Sequence, residues 1–292
     1  MISYFQAIIL GVVQGITELF PISSLGHSII LPALLNWNFN QSAESFVIFL
    51  TATHFATALV LFLFYFQDWK RIIVGFFKSL KERKINNNPD AKLAWLLIAG
   101  TIPAGLAGLI FEKKLSQLFS MPLYVSAFLI LNGLMLFFAE SLTKKSKGME
   151  SDVKDPDKRI AGKLSFGQSV KIGFMQILAL IPGFSRTGSA MTGGLLVNLS
   201  REDAARFSFL LATPIIGAAA FLELPKLFKA ENLNNIKVAV IGAFAAAAAA
   251  YLSIKFLTKY FKTKKLNPFA IYCIVAGALS LIILLINRGG YY

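Results

Sequence analysis

Two short stretches of this chain are too polar for the apolar sequence around them, and they repeat one another. The first runs Gln14-Gly15-Ile16-Thr17-Glu18-Leu19-Phe20-Pro21-Ile22-Ser23-Ser24-Leu25-Gly26-His27, the second Gln176-Ile177-Leu178-Ala179-Leu180-Ile181-Pro182-Gly183-Phe184-Ser185-Arg186-Thr187-Gly188-Ser189. Gln14, Ser23 and Gly26 recur as Gln176, Ser185 and Gly188 at an offset of 162. A carboxylate, an imidazole and a guanidinium inside apolar segments are costly and mark a functional site by default. A duplicated apolar segment broken by Gly and Pro is the sequence mark of a two-fold membrane fold with its site between the repeats.

Composition agrees. Hydrophobic residues make up 56% of the 292 and charged residues only 15%, where a soluble domain is nearer a quarter charged. The 27 Phe suit lipid-facing surfaces. The single cysteine, Cys273, excludes an intramolecular disulfide. The first ten residues hold no Lys or Arg, so the first apolar piece does not read as a signal peptide with a basic n-region. A net charge of +14 would suit nucleic acid, but the basic residues cluster in short loops between apolar runs, as membrane topology requires. The partner is therefore a lipid bilayer, with no nucleic acid.

Hydropathy predicts an all-α integral membrane protein with six transmembrane helices, at about 44–66, 91–111, 121–140, 203–225, 236–257 and 268–287. Segments 2–36 and 166–199 each hold two apolar pieces split by a polar motif, and neither piece is comfortably long enough to span. They read as two re-entrant helical hairpins with polar tips inside the membrane, which is tolerated only where the backbone is buried in protein or lines a wet cavity. Loop charge sets the orientation. The 67–92, 140–165 and 255–267 segments carry 19 basic residues, against six on the other side, namely Lys113, Lys114, Lys226, Lys229, Lys237 and Arg288. The richer side is cytoplasmic. The first hairpin then enters from outside and the second from inside, so 1–140 and 166–292 form an inverted-topology repeat in one membrane domain. Ala52-Thr53 echoes as Ala212-Thr213. The stretch 141–165, with Glu150, Asp152, Asp155 and Asp157 among its lysines, reads as a flexible, solvated cytoplasmic linker.

If the tips meet, one cavity collects Gln14, Glu18, Ser23, Ser24, His27, Ser185, Arg186, Thr187 and Ser189. Half-helices starting after each tip aim their positive ends inward. With hydroxyls and a guanidinium they make an anion site, most naturally for phosphate. Glu18 is a poor neighbour for phosphate unless it holds a divalent cation, orients water or handles a proton. Gln14, four residues earlier, shares its helix face. His54, in mid-span, reads as a helix-packing hydrogen bonder that could line the cavity.

Gln14-x-x-x-Glu18 followed by Pro21-x-Ser23-Ser24-x-Gly26-His27 resembles one signature of the undecaprenyl-diphosphatase family of bacterial membrane phosphatases associated with bacitracin resistance. Pro182-Gly183-Phe184-Ser185-Arg186-x-Gly188 resembles the second. The family accepts Glu or Gln at the position of Gln14. The resemblance covers essentially the whole chain. It implies hydrolysis of a C55 polyprenyl diphosphate to the monophosphate and inorganic phosphate, recycling the lipid carrier for cell-wall polymers. It also implies a divalent metal ion (Mg²⁺ or Ca²⁺), held by Glu18 and Gln14, and a multi-pass protein of the bacterial inner membrane with its site toward the periplasm. A homodimer is compatible with it. The catalytic set is then Glu18, Ser24, His27 and Arg186. Gln14, Ser23, Gly26, Ser185, Thr187, Gly188 and Ser189 would bind substrate. Ser24, His27 and water all remain open as the attacking group.

Three competitors stand beside this reading. Another membrane phosphatase class needs a second His six residues after its Arg, where this chain has Thr192. An inverted-repeat transporter or flippase of a phosphate-bearing lipid would use the same anion site without a nucleophile. A structural or channel protein would not need Glu18, His27 and Arg186 together.

Overall fold

A computed structural model describes residues 2–37, 39, 44–85, 88–116, 118, 121–143, 153–227 and 233–289. Lys144, Lys145, Lys147, Glu150, Asp152 and Lys229, counted above, lie outside the described residues, as do the side chains of Lys113, Lys114, Lys226 and Arg288. The described residues form helices and no strands. The first hairpin is α1 (Tyr4–Thr17) and α2 (Ser24–Leu34). Then come α3 (Glu44–Phe64), α4 (Phe66–Glu82), α5 (Pro89–Ser116) and α6 (Pro122–Leu142). A short α7 (Pro156–Lys163) leads to the second hairpin, α8 (Phe166–Gln176) and α9 (Arg186–Leu196), joined by a 3₁₀ turn at Ile177–Leu180. The chain closes with α10 (Arg201–Leu227), α11 (Leu233–Tyr260) and α12 (Asn267–Gly289).

Among the described residues, α3, α5, α6, α11 and α12 are long and apolar enough to cross a membrane. The sixth long helix, α10, opens on Arg201, Glu202, Asp203 and, a turn later, Arg206. The hairpin arms are far shorter. At about 1.5 Å per residue, the 11 residues of α2 or α9 fall well short of a hydrocarbon core about 30 Å thick.

Packing is reciprocal between the halves. Helix α1 lies along α11, the middle long helix of the second half, and α8 lies along α5, the middle long helix of the first. Helices α3 and α10 pack on each other, as do α6 and α12. Small residues allow these approaches: a Cβ on Gly11 would sit 2.3 Å from the Gly242 carbonyl oxygen, and one on Gly173 2.4 Å from that of Gly100. Large apolar side chains such as Phe5, Ile110, Phe244 and Ile286 stay exposed, while Gln14, Ser28, Asn132, Gln176 and Ser189 are buried. That distribution suits a lipid solvent, in which polar groups must be satisfied inside the protein.

Two segments expected as loops are helical. The 67–92 stretch contains α4, an amphipathic helix exposing Ile73, Val74, Phe77 and Leu80 beside its lysines. From Pro156 the linker is α7, with Asp157 and Ile160 buried. Asp157 accepts from Arg206 Nε and Nη2 at 3.0 Å and from Arg71 at 3.1 Å, and Arg159 bonds Asp203 and Glu202 at the start of α10. Buried acceptors matched to guanidinium forks hold this part of the linker in place.

Candidate active site

The two motifs fold the same way locally. Ser23 N-caps α2 and its hydroxyl accepts from Gly26 N; Ser185 N-caps α9 and accepts from Gly188 N, both at 3.1 Å. This explains the recurring Ser-x-x-Gly: the cap satisfies one of the orphan amides at a helix start. Ser23 sits at φ 70°, in the left-handed region that L residues rarely adopt. Gly183, at φ 108°, is where the second tip meets α6, and a Cβ there would lie 2.6 Å from Phe128 Cβ and the Val125 carbonyl oxygen.

The tips interlock. Gly183 N donates to Ser23 Oγ at 3.2 Å, Ser185 Oγ donates to the Phe20 carbonyl at 3.4 Å, and Thr187 Oγ1 donates to the Glu18 carbonyl at 3.1 Å. The hydroxyls of Ser23, Ser185 and Thr187 are therefore engaged in joining tip to tip. Gly26 allows the approach: a Cβ on it would stand 3.1 Å from Gly183 Cα.

Glu18 is the hub. Its Oε1 pairs with Arg186 Nη2, and Oε2 accepts from Gln14 Nε2 at 3.0 Å and from Ser24 Oγ at 2.5 Å. His54 Nε2 stands 3.3 Å from the same Oε2, while its Nδ1 lies 2.8 Å from the Leu50 carbonyl. One carboxylate thus gathers the first hairpin, the second hairpin and α3. Three buried side-chain atoms of the two motifs have no partner: Gln14 Oε1, Arg186 Nη1 and Ser189 Oγ. Buried polar atoms are rarely left so, and an acceptor-rich anion is what the guanidinium and the hydroxyl could bind.

His27 is not brought to Glu18 or Ser24. Its Nδ1 lies 2.6 Å from the Ser23 carbonyl and its Nε2 2.8 Å from the Tyr272 hydroxyl, with the two rings stacked. A carbonyl only accepts, so Nδ1 donates and Nε2 accepts the Tyr272 proton. The imidazole beside the carboxylate belongs to His54 instead.

Asn132 lies outside both polar motifs and is not among the residues they single out. On α6 and fully buried, it donates to the Pro21 carbonyl and accepts from Ser185 N, both at 3.0 Å. The signal was available, since an amide in the middle of an apolar span has the same claim on attention as a charge.

Among the described residues, no three His, Cys, Asp or Glu side chains converge to cage a metal. What the site offers a cation is the Glu18 carboxylate and the unpartnered Gln14 amide oxygen. Two hard oxygen donors fit Mg²⁺ or Ca²⁺ when phosphate oxygens and water supply the rest of the shell.

The family described as bacitracin resistance protein BacA matches residues 7–279. This chain belongs to that family. A relative in Mycolicibacterium paratuberculosis, named undecaprenyl-diphosphatase, is 43% identical over 298 residues, covering 96% of this chain and 97% of the relative. One in Chromobacterium violaceum, undecaprenyl-diphosphatase 2, is 41% identical over 286 residues, covering 96% and 99%. One in Burkholderia pseudomallei, undecaprenyl-diphosphatase 1, is 42% identical over 280 residues, covering 96% of each. The BacA match runs from residue 7 of α1 through both polar tips and the long helices to residue 279 of α12.

Proposed function

We propose that this protein hydrolyses undecaprenyl diphosphate to undecaprenyl phosphate and inorganic phosphate, recycling the lipid carrier of cell-wall synthesis. The observation that carries the reading is the Glu18 hub: a serine hydroxyl and a guanidinium from opposite hairpins on one buried carboxylate, with spare donors on Arg186 and Ser189. Phosphoryl transfer asks the protein for positioning and charge stabilisation, and these are the groups that provide both. A flippase needs the anion site but has no use for a carboxylate aligned on a serine proton.

In the proposed mechanism, the diphosphate draws Arg186 from Glu18 and fills the unpartnered Nη1 and Ser189 hydroxyl. The backbone amides opening α2 and α9 add to the anion site. Ser24 Oγ attacks the terminal phosphorus and its proton passes to Glu18. The bond from that phosphorus to the bridging oxygen breaks, and the prenyl monophosphate leaves with the electron pair. Water, activated by the Glu18 carboxylate once it has released that proton, then hydrolyses the phosphoserine to inorganic phosphate. The divalent metal is proposed at Glu18 and Gln14, where it would supply charge neutralisation to the phosphate oxygens. The roles of the remaining candidates rest on the resemblance; His27 is proposed to act only after its ring leaves Tyr272.

The architecture proposed with this activity is an inverted repeat of three spans plus one re-entrant hairpin per half, supported by the 162-residue offset, the reciprocal packing and the loop charges. It puts the site on the periplasmic side of the inner membrane. The chemistry does not depend on oligomeric state, so a homodimer is compatible with it.

The test is phosphate release from undecaprenyl diphosphate by the purified protein in detergent. Release that stops in excess chelator and returns with Mg²⁺ or Ca²⁺ is expected. No release, together with movement of labelled polyprenyl phosphate across proteoliposomes, would replace the enzyme by the transporter.

A further inference from the structure

We infer that Asn132 is a positioning residue that pins the two joined hairpin tips to α6 and so aligns Ser24 and Glu18 with Arg186. The inference rests on the phosphatase reading. Asn132 belongs to neither hairpin, yet it reaches both. Its Nδ2 donates to the carbonyl of Pro21, which lies between Glu18 and Ser24, and its Oδ1 accepts from the amide of Ser185, the residue before Arg186. Nδ2 also lies 3.3 Å from Cys273 Sγ on α12. A primary amide is the side chain that can accept from one strand of backbone and donate to another in a single plane. The bonds among Ser23, Gly183, Ser185, Phe20, Thr187 and Glu18 fasten tip to tip. Asn132, with no exposure to solvent, adds a hydrogen-bonded reference on α6 that engages both tips at once, beside the contact of Glu18 with His54 on α3 and the packing of Gly183 on α6.

Such a residue acts on the chemical step rather than on capture of the anion. The Ser185–Gly188 cap that starts α9 at Arg186 does not involve position 132, so the guanidinium still meets the anion, whereas attack needs Ser24 and the clamped phosphorus aligned. A misplacement of about 1 Å can cost about a hundredfold in rate. Asn132→Ala removes both bonds; Asn132→Asp keeps the acceptor for Ser185 and loses the donor for Pro21. With amounts normalised to folded protein, both variants should lose at least about tenfold in kcat while KM shifts less than about threefold. A kcat within twofold of the parent, or a loss confined to KM, overturns the inference, because a side chain that merely fills space would change only yield and melting temperature.

Hydrogen exchange on the unmodified protein gives a second readout independent of folding defects. The Ser185 amide, which donates to Asn132, should exchange as slowly as the middle of α9, and exchange at exposed-loop rates overturns the pin. A parent that releases no phosphate would remove the phosphatase reading while leaving this exchange result to stand or fall alone.

Discussion

Arg186 holds Glu18 with one guanidinium nitrogen and leaves Nη1 buried and unpartnered. A diphosphate is the ligand that would use the free nitrogen and compete for the bound one. Arg186→Ala is therefore expected to lower kcat by about 10³ or more, the scale seen when a charge-stabilising arginine is removed from phosphoryl transfer. Arg186→Lys should rescue little of it, since a point charge cannot make the bidentate fork. Steady-state turnover of folded protein checks both, and near-parent activity in either variant takes Arg186 out of the mechanism. Ser24 and Glu18 are separated in the same assay. With Ser24 as nucleophile and Glu18 as its base, Ser24→Ala and Glu18→Gln should both fall by orders of magnitude. Substantial turnover in Ser24→Ala beside a dead Glu18→Gln would mean that water attacks. Ser23→Ala should behave differently again. Its hydroxyl caps α2 and receives Gly183 N, so about 1 kcal/mol of stability should go while most activity remains. The sequence showed which residue types gather at the tips. Their division into reacting and fastening groups was not legible, because it depends on which hydroxyl faces which backbone carbonyl. His27 shows the same limit: the resemblance puts it in the catalytic set, and its ring turns to Tyr272, 245 residues away.

At the scale of elements, the hairpins depend on a tight turn against α6. Gly183→Ala forces a side chain into positive φ and against Phe128 and Val125. It should cost at least ~2 kcal/mol, read as a lower melting temperature in detergent with a parallel loss of turnover. An unchanged melting temperature would mean that the turn relaxes without consequence. The hairpin arms and six long helices were readable because apolar runs and their Gly/Pro breaks are properties of single segments. Helices α4 and α7 were not. In α4 the lysines that mark a cytoplasmic loop also mask the spacing of Ile73, Phe77 and Leu80, so a hydropathy window averages a polar and an apolar face to nothing. In α7 the cause lies elsewhere in the chain, because Asp157 is ordered by Arg206, 49 residues later, and by Arg71, 86 residues earlier. No local pattern carries that information.

At the scale of the whole molecule, the 162-residue offset maps Ser24 onto Arg186 and Glu18 onto Leu180. Each of the first two opens the inner half-helix of its hairpin, directly after a serine cap. The two halves thus provide the same platform, a helix start aimed at the tips, and put a hydroxyl on one and a guanidinium on the other. The single carboxylate, present in one half only, makes the site one-sided. A transport site in a two-fold protein has no need of that asymmetry, whereas an attacking group and a charge clamp must differ. The proposed two-fold, with its axis in the membrane plane, would bring the hairpins in from opposite faces. That can be read with two single-cysteine variants, Cys273 being buried and slow to label. Lys158 is exposed on α7, and Met121 is exposed at the opposite end of the half, just before α6. In sealed vesicles, Lys158→Cys should react with a membrane-impermeant maleimide only when the cytoplasmic face is outward, and Met121→Cys only when the periplasmic face is. Reversal of both would keep the repeat and turn the site toward the cytoplasm. Labelling of both from one face would break the inverted repeat itself, since three spans separate an outside-entering hairpin from the linker and α6 alone must carry the chain from Met121 to Lys158.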